Sequence, residues 1–166
     1  MPEVQQKTLR TVSILTRRLK EGKTYEDFRR AWFHTTGFGV KGKDSGSGKA
    51  QLQTFINISD PREIIVLGFT TVTLEQLGDA LDIDVKVRGD NPLDEVIEPE
   101  IGRSFALQVA EDDFSAAGDI PYAPAMIDGR KTDMAEVQQD LLALAGIYTA
   151  AAKKRDALNE ARRQAQ

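Results

Sequence analysis

Gln51-Leu52-Gln53-Thr54-Phe55-Ile56-Asn57-Ile58, then Ser59-Asp60-Pro61-Arg62, then Glu63-Ile64-Ile65-Val66-Leu67-Gly68-Phe69-Thr70-Thr71-Val72 is the stretch that decides the fold. Its first part alternates, with Leu52, Ile56 and Ile58 on one side and Gln51, Gln53, Phe55 and Asn57 on the other, which predicts a half-buried strand. Asp60-Pro61 marks a tight turn. Glu63 to Val72 is nearly continuous in branched and aromatic residues, as expected of a central strand or one covered on both faces. The two strands should form a hairpin.

Upstream, Lys7 to Arg17 is rich in Thr, Val, Ile and Leu and reads as a first strand. Thr24 then caps a helix with Glu26 and Asp27 in its first turn, where negative charge meets the positive end of the helix dipole. Tyr25, Phe28, Ala31 and Trp32 share one side of that helix. Gly37 and Gly39 stop it, and Lys41 to Lys49 reads as a Gly-, Ser- and Lys-rich loop. Downstream, Thr73 with Gln76 forms a capping box that opens a helix through Leu74, Leu77 and Leu81. Asn91-Pro92 predicts a cap and first-turn proline for a short helix through Val96 and Ile97. A fourth strand is expected from Arg103 to Val109, with Phe105, Leu107 and Val109 opposite Ser104, Ala106 and Gln108.

The order β-α-β-β-α-β places both helices on one face of a four-stranded antiparallel sheet, a ferredoxin-like α+β arrangement. The other face has no helix of its own, and its aromatic and aliphatic content predicts that it pairs with a second copy, giving a homodimer. Ser115 to Lys131, with Gly118, Pro121, Pro124 and Gly129, reads as a loop. From Asp133 a helical stripe runs through Met134, Val137, Leu141, Leu144, Tyr148, Ala151 and Leu158, with Arg155 and Arg162 continuing its register in polar form. At about 45 Å for some 30 residues, such a helix is expected to leave the domain, with a kink or break at Gly146. The division is therefore a domain over 1–131 and a helical extension over 132–166 at the dimer interface, through Val137, Leu141, Leu144 and Tyr148.

Composition excludes several functions. The chain of 166 residues carries 22 Lys and Arg against 26 Asp and Glu, a net charge of -4, opposite to the basic footprint that nucleic acid requires. No apolar run is long enough for a bilayer, and the start lacks the features of an export signal. Cysteine is absent, which removes thiolate nucleophiles and Cys-based metal sites and fits a cytoplasmic location. With one histidine, a His-rich metal site within one subunit is excluded, and nothing in the sequence requires a metal or other cofactor.

The segment Leu15-Thr16-Arg17-Arg18-Leu19-Lys20-Glu21-Gly22-Lys23-Thr24-Tyr25-Glu26-Asp27-Phe28-Arg29-Arg30-Ala31-Trp32-Phe33-His34-Thr35-Thr36-Gly37 resembles the opening of EthD-type proteins of the dimeric α+β barrel superfamily. Those read as a strand, a Lys/Arg-Pro-Gly-like turn, an acidic helix start, Phe, Trp and a Thr-His-Gly ending. The resemblance implies two sheets facing each other to form a dimeric barrel. Members include monooxygenases, isomerases, lyases and proteins without known activity, so it implies a fold more firmly than a reaction. With Phe28 and Trp32 matched, Thr36 stands where the family's helix-ending histidine stands. His34 lies two positions earlier, turned by about 200 degrees on a helix.

His34 is a candidate general acid or base, or an exposed helix-end imidazole near Asp27 and Arg30. Gly46-Ser47-Gly48-Lys49 lacks the spacing, the following Ser or Thr and the following helix of a phosphate loop. Glu111, Asp112, Asp113 and Asp119 are either a hard-cation cluster without a recognised spacing or a solvated acidic strand end. The stronger candidates lie on the uncovered sheet face. Gln53, Phe55 and Asn57, joined by Ser104 and Gln108 and with Thr36 near the entrance, form a surface that orients a small organic ligand but offers no clear base. The expected function is a small-molecule binder or cofactor-independent enzyme using the barrel. The alternatives are a polar dimer interface with trapped water, and a structural or regulatory module that engages a partner through its C-terminal helix.

Overall fold

Alternation along the first strand is carried through in the fold. In the computed structural model, which describes residues 7–32, 49–90, 93–112 and 124–166, β1 spans Leu9–Leu19, and its odd-numbered residues are buried throughout. α1 (Tyr25–Ala31) follows, begun by Thr24, whose hydroxyl accepts from the Asp27 amide while the Asp27 carboxylate accepts from the Thr24 amide at 2.8 Å. Phe28 is buried on its inner side, with Tyr25, Ala31 and Trp32 packed around it. His34, Thr36 and most of the loop from Lys41 to Lys49 lie outside the described residues.

β2 (Lys49–Asn57) and β3 (Asp60–Val72) form the expected hairpin. α2 runs over Leu74–Asp90, well beyond the Leu81 reached by the sequence pattern, and β4 spans Ile97–Leu107. The fourth strand thus starts six residues before Arg103. No short helix passes through Val96 and Ile97: residues 94–96 form a turn, with the Val96 amide donating to the Leu93 carbonyl at 2.9 Å, and Ile97 opens the strand. Pro99 obscured it, yet β4 is an edge strand, where a missing N–H is tolerated. The sheet order is β2-β3-β1-β4 with every neighbouring pair antiparallel, an α+β arrangement compatible with a ferredoxin-like fold.

The region expected to be only loop holds a small hairpin, β5 (Met126–Ile127) and β6 (Arg130–Lys131). Asp128 and Gly129 at its tip both have positive φ, 51° and 71°, as a two-residue turn of this hand requires. α3 (Met134–Gln164) starts at Asp133, which caps the Ala135 amide at 2.9 Å, and passes Gly146 without a break.

α3 does not leave the domain. Its Leu144 is buried in one cluster with Leu9, Val72, Leu77 and Leu81, and Ile147, Tyr148 and Ala151 pack against them. Lys7 reaches Glu136 and Asp140, both at 2.7 Å, and farther along Lys154 pairs with Asp82 at 2.6 Å and Arg162 with Asp94 at 2.8 Å. The apolar stripe assigned to a partner surface is therefore largely used within the subunit; only Leu141 of that set stays exposed. A second cluster, Leu15, Leu19, Phe28, Ile64, Val66, Val96 and Ile97, fills the other end of the helix-covered face. Between the two lie buried hydroxyls, with Thr11 and Thr70 side chains 2.6 Å apart. Of the three β2 residues expected to meet the helices, Leu52 does. Ile56 is half-exposed at the sheet edge, and Ile58, in the turn, is fully exposed.

Candidate functional site

The second sheet face is built row by row from the strand register. Residues directly opposite in antiparallel strands share a face. One row reads Gln53, Leu67, Ile14, Ser104 from edge to edge; its neighbours read Gln51, Phe69, Val12, Ala106 and Phe55, Ile65, Thr16, Gly102. None of these belongs to either buried cluster. The middle of the face is aliphatic, with Val12, Ile14, Ile65 and Leu67 half-buried, Phe69 39% exposed and Phe55 46% exposed.

Of the predicted polar residues, the register puts Gln53 and Ser104 on this face, but it does not gather them within a subunit. Gln53 and Ser104 stand on opposite edges, three strand spacings or about 14 Å apart. The Asn57 amide donates to the Glu63 carboxylate, beside an Arg18–Asp60 ion pair. Gln108 lies past the end of β4, where its backbone amide donates to the Arg10 carbonyl at 2.9 Å and its side chain to the Ala110 carbonyl at 3.4 Å. Gln53 makes no side-chain hydrogen bond to another described residue.

The aliphatic content expected of this face is carried by Ile65 and Leu67 within the unbroken run from Ile64 to Leu67, beside the amides of β2. One end of the face is charged, which alternation alone does not reveal. There an open hollow of about 850 Å³ is lined by Thr16, Arg18, Asp60, Glu63, Glu98 and Gly102. A Cβ at Gly102 would lie 1.9 Å from the Thr16 hydroxyl, so any side chain there displaces it. Arg62, nearby, donates to the Leu19 carbonyl at 2.7 Å and pairs with Glu98 at 3.3 Å.

Of the acidic cluster expected after β4, Glu111 pairs with Arg10 at 3.4 Å, and Arg10 also reaches Asp128 at 2.5 Å; Asp113 and Asp119 lie outside the described residues. Among the described residues no group of three or more His, Asp or Glu is placed to hold a metal ion, and no helix is long and apolar enough to cross a membrane. Titration shifts lie away from the open face. Hydrogen bonds from the Thr24 backbone and side chain hold the Asp27 carboxyl below its usual range. Desolvation opposes the charge on Lys7, but Asp140 and Glu136 outweigh it and raise the ammonium's pKa. Burial raises the Tyr148 phenol, partly opposed by its hydrogen bond to Thr11.

The chain matches no protein-family model, and neither the curated proteins nor the solved structures contain a match.

Proposed function

We propose that the protein acts as a homodimer in which two open sheet faces meet and enclose a small organic molecule, with no cofactor required. The observation that carries this is the apolar centre formed by Val12, Ile14, Ile65, Leu67 and Phe69, which no described helix covers. A contiguous apolar patch of this kind is usually an interaction surface. A second copy is self-complementary by symmetry and leaves Gln53 and Ser104 of each subunit at the rim, where amides and hydroxyls orient a ligand. Such a dimeric barrel is also what the EthD-like segment implies. The chemistry of the lining favours binding, or catalysis assisted by the substrate's own groups, over proton transfer by a protein base.

Sedimentation equilibrium at micromolar concentration is expected to give a dimer, and Leu67→Arg a folded monomer. A wild-type monomer under those conditions sinks the reading. A thermal-shift screen of neutral and weakly polar metabolites should yield a ligand whose stabilisation is lost in Gln53→Leu while the dimer persists.

The second reading, a structural or regulatory module engaging a partner through α3, has one observation in its favour: Met134, Leu141 and Leu142 are exposed on α3, the last at 77%. Leu141→Asp with Leu142→Asp would then abolish partner recovery without altering the dimer.

A further inference from the structure

On the helix-covered side, away from the open face, lies a partly open pocket of about 260 Å³ between β1, β4, α2 and α3. Its apolar wall comes from Leu15, Leu81, Val85 and Phe105, and the short side chains of Ala151 and Ala152 leave the space unfilled. The Phe105 ring stacks on Tyr148 with centroids 3.9 Å apart. Ser13 brings a hydroxyl, and the Tyr148 hydroxyl reaches Thr11 at 3.5 Å.

Arg103 and Arg155 also line this space. Each occupies a position that its element otherwise gives to apolar residues. Arg103 shares the inward face of β4 with Phe105 and Leu107, and Arg155 follows Tyr148 and Ala151 on the packed stripe of α3. The Arg155 side chain is 28% exposed, and its partner is the neighbouring Asp156, 3.4 Å away and itself 71% exposed. Among the described lining residues none is acidic. Two guanidinium side chains bordering an apolar pocket suit an anion with an apolar body, and a planar carboxylate matches their forked donors.

We infer that this cavity binds a small monocarboxylate, its carboxylate held by Arg103 and Arg155 and its apolar body seated among Leu81, Val85, Phe105 and Ala151. The volume falls just below the roughly 300 Å³ at which drug-sized ligands begin, which limits the body to a single ring or a short chain. This site is independent of the dimer barrel, since it lies on the opposite face of the sheet.

Methyl-labelled full-length protein titrated with sodium benzoate and sodium hexanoate, against benzyl alcohol and 1-hexanol, provides the test. The carboxylates should shift the Leu81 and Val85 methyls saturably while leaving Ile14 and Leu67 on the open face unmoved. Loss of charge-assisted hydrogen bonds should weaken binding about tenfold or more for the alcohols, and likewise for Arg155→Gln. Ala152→Leu should abolish it by filling the space. Absence of saturable shifts at Leu81 and Val85 with both carboxylates overturns the inference, as does equal binding of the alcohols, a comparison that needs only the wild-type protein. Shifts confined to Ile14 and Leu67 would also overturn it while supporting the barrel.

Discussion

The two faces of one sheet differ in how far their apolar residues are buried. Under α1, α2 and α3, Ile64 is fully buried and Val66 and Phe28 are 1% exposed. On the other face their strand neighbours Ile65 and Leu67 are as apolar but only half-buried. Composition along β3 is almost the same on both sides; only the second layer differs. Alternation in a strand therefore reports which residues share a face, while a continuous apolar run reports that both faces ask for cover.

The contrast is sharpest at Phe28. Phe28→Ala should cost about 3–5 kcal/mol in urea unfolding, because it empties a closed core. Phe55→Ala, measured at concentrations where the protein is monomeric, should stay within about 0.5 kcal/mol. An equal loss at both positions would mean that the open face is already covered in the single subunit.

The same distinction can be drawn on α3. Leu144→Ala is expected to cost about 2–5 kcal/mol, whereas Leu142→Ala should change stability by no more than about 0.5 kcal/mol. If the two fall together, α3 is not docked as described.

Smaller effects test the margins of the covered face. Thr24→Ala should cost about 0.5–2 kcal/mol by uncapping α1. Because the folded Asp27 carboxyl is held below its ordinary 3.8, its contribution is present above that pH and is lost as pH falls through the lower folded value. The gap between wild type and variant should accordingly narrow in acid. At the alkaline end, burial favours the neutral Tyr148 phenol. Its contribution is complete below pH 10.0 and is lost as pH rises through the higher folded value, so Tyr148→Phe should soften the alkaline drop in melting temperature. An unchanged alkaline profile would place the phenol in water.

The β2–β3 hairpin, β1 and the start of α1 were legible because period-two alternation and the Thr24–Asp27 cap are local signals. β4 was only half legible: Glu98, Pro99 and Gly102 disguise its first part, and edge position alone makes them acceptable. The Asp128-Gly129 turn was a usable hairpin signal, passed over among the prolines and glycines around it. The full length of α3 could be read from its stripe, but its place could not, since docking depends on Leu9 and Val72, far away in sequence. For the candidate site, strand parity put Gln53, Phe55 and Ser104 on the right face, while their separation across four strands required the strand order. Arg155 is legible as a polar member of the α3 stripe and Arg103 as a charge inside the apolar pattern of β4; that they line one cavity needed the packing of α3 on β4.

The docking of α3 also bears on how the chain matures during synthesis. Lys7 meets Glu136 across 129 residues, and Thr11 meets Tyr148 across 137. Loops this long are slow to close, and chains emerge from the ribosome at about 5–20 residues per second. Leu9, Leu77 and Leu81 therefore wait, exposed, until α3 has been made, and a helix synthesised long after β1 is the one that seals it.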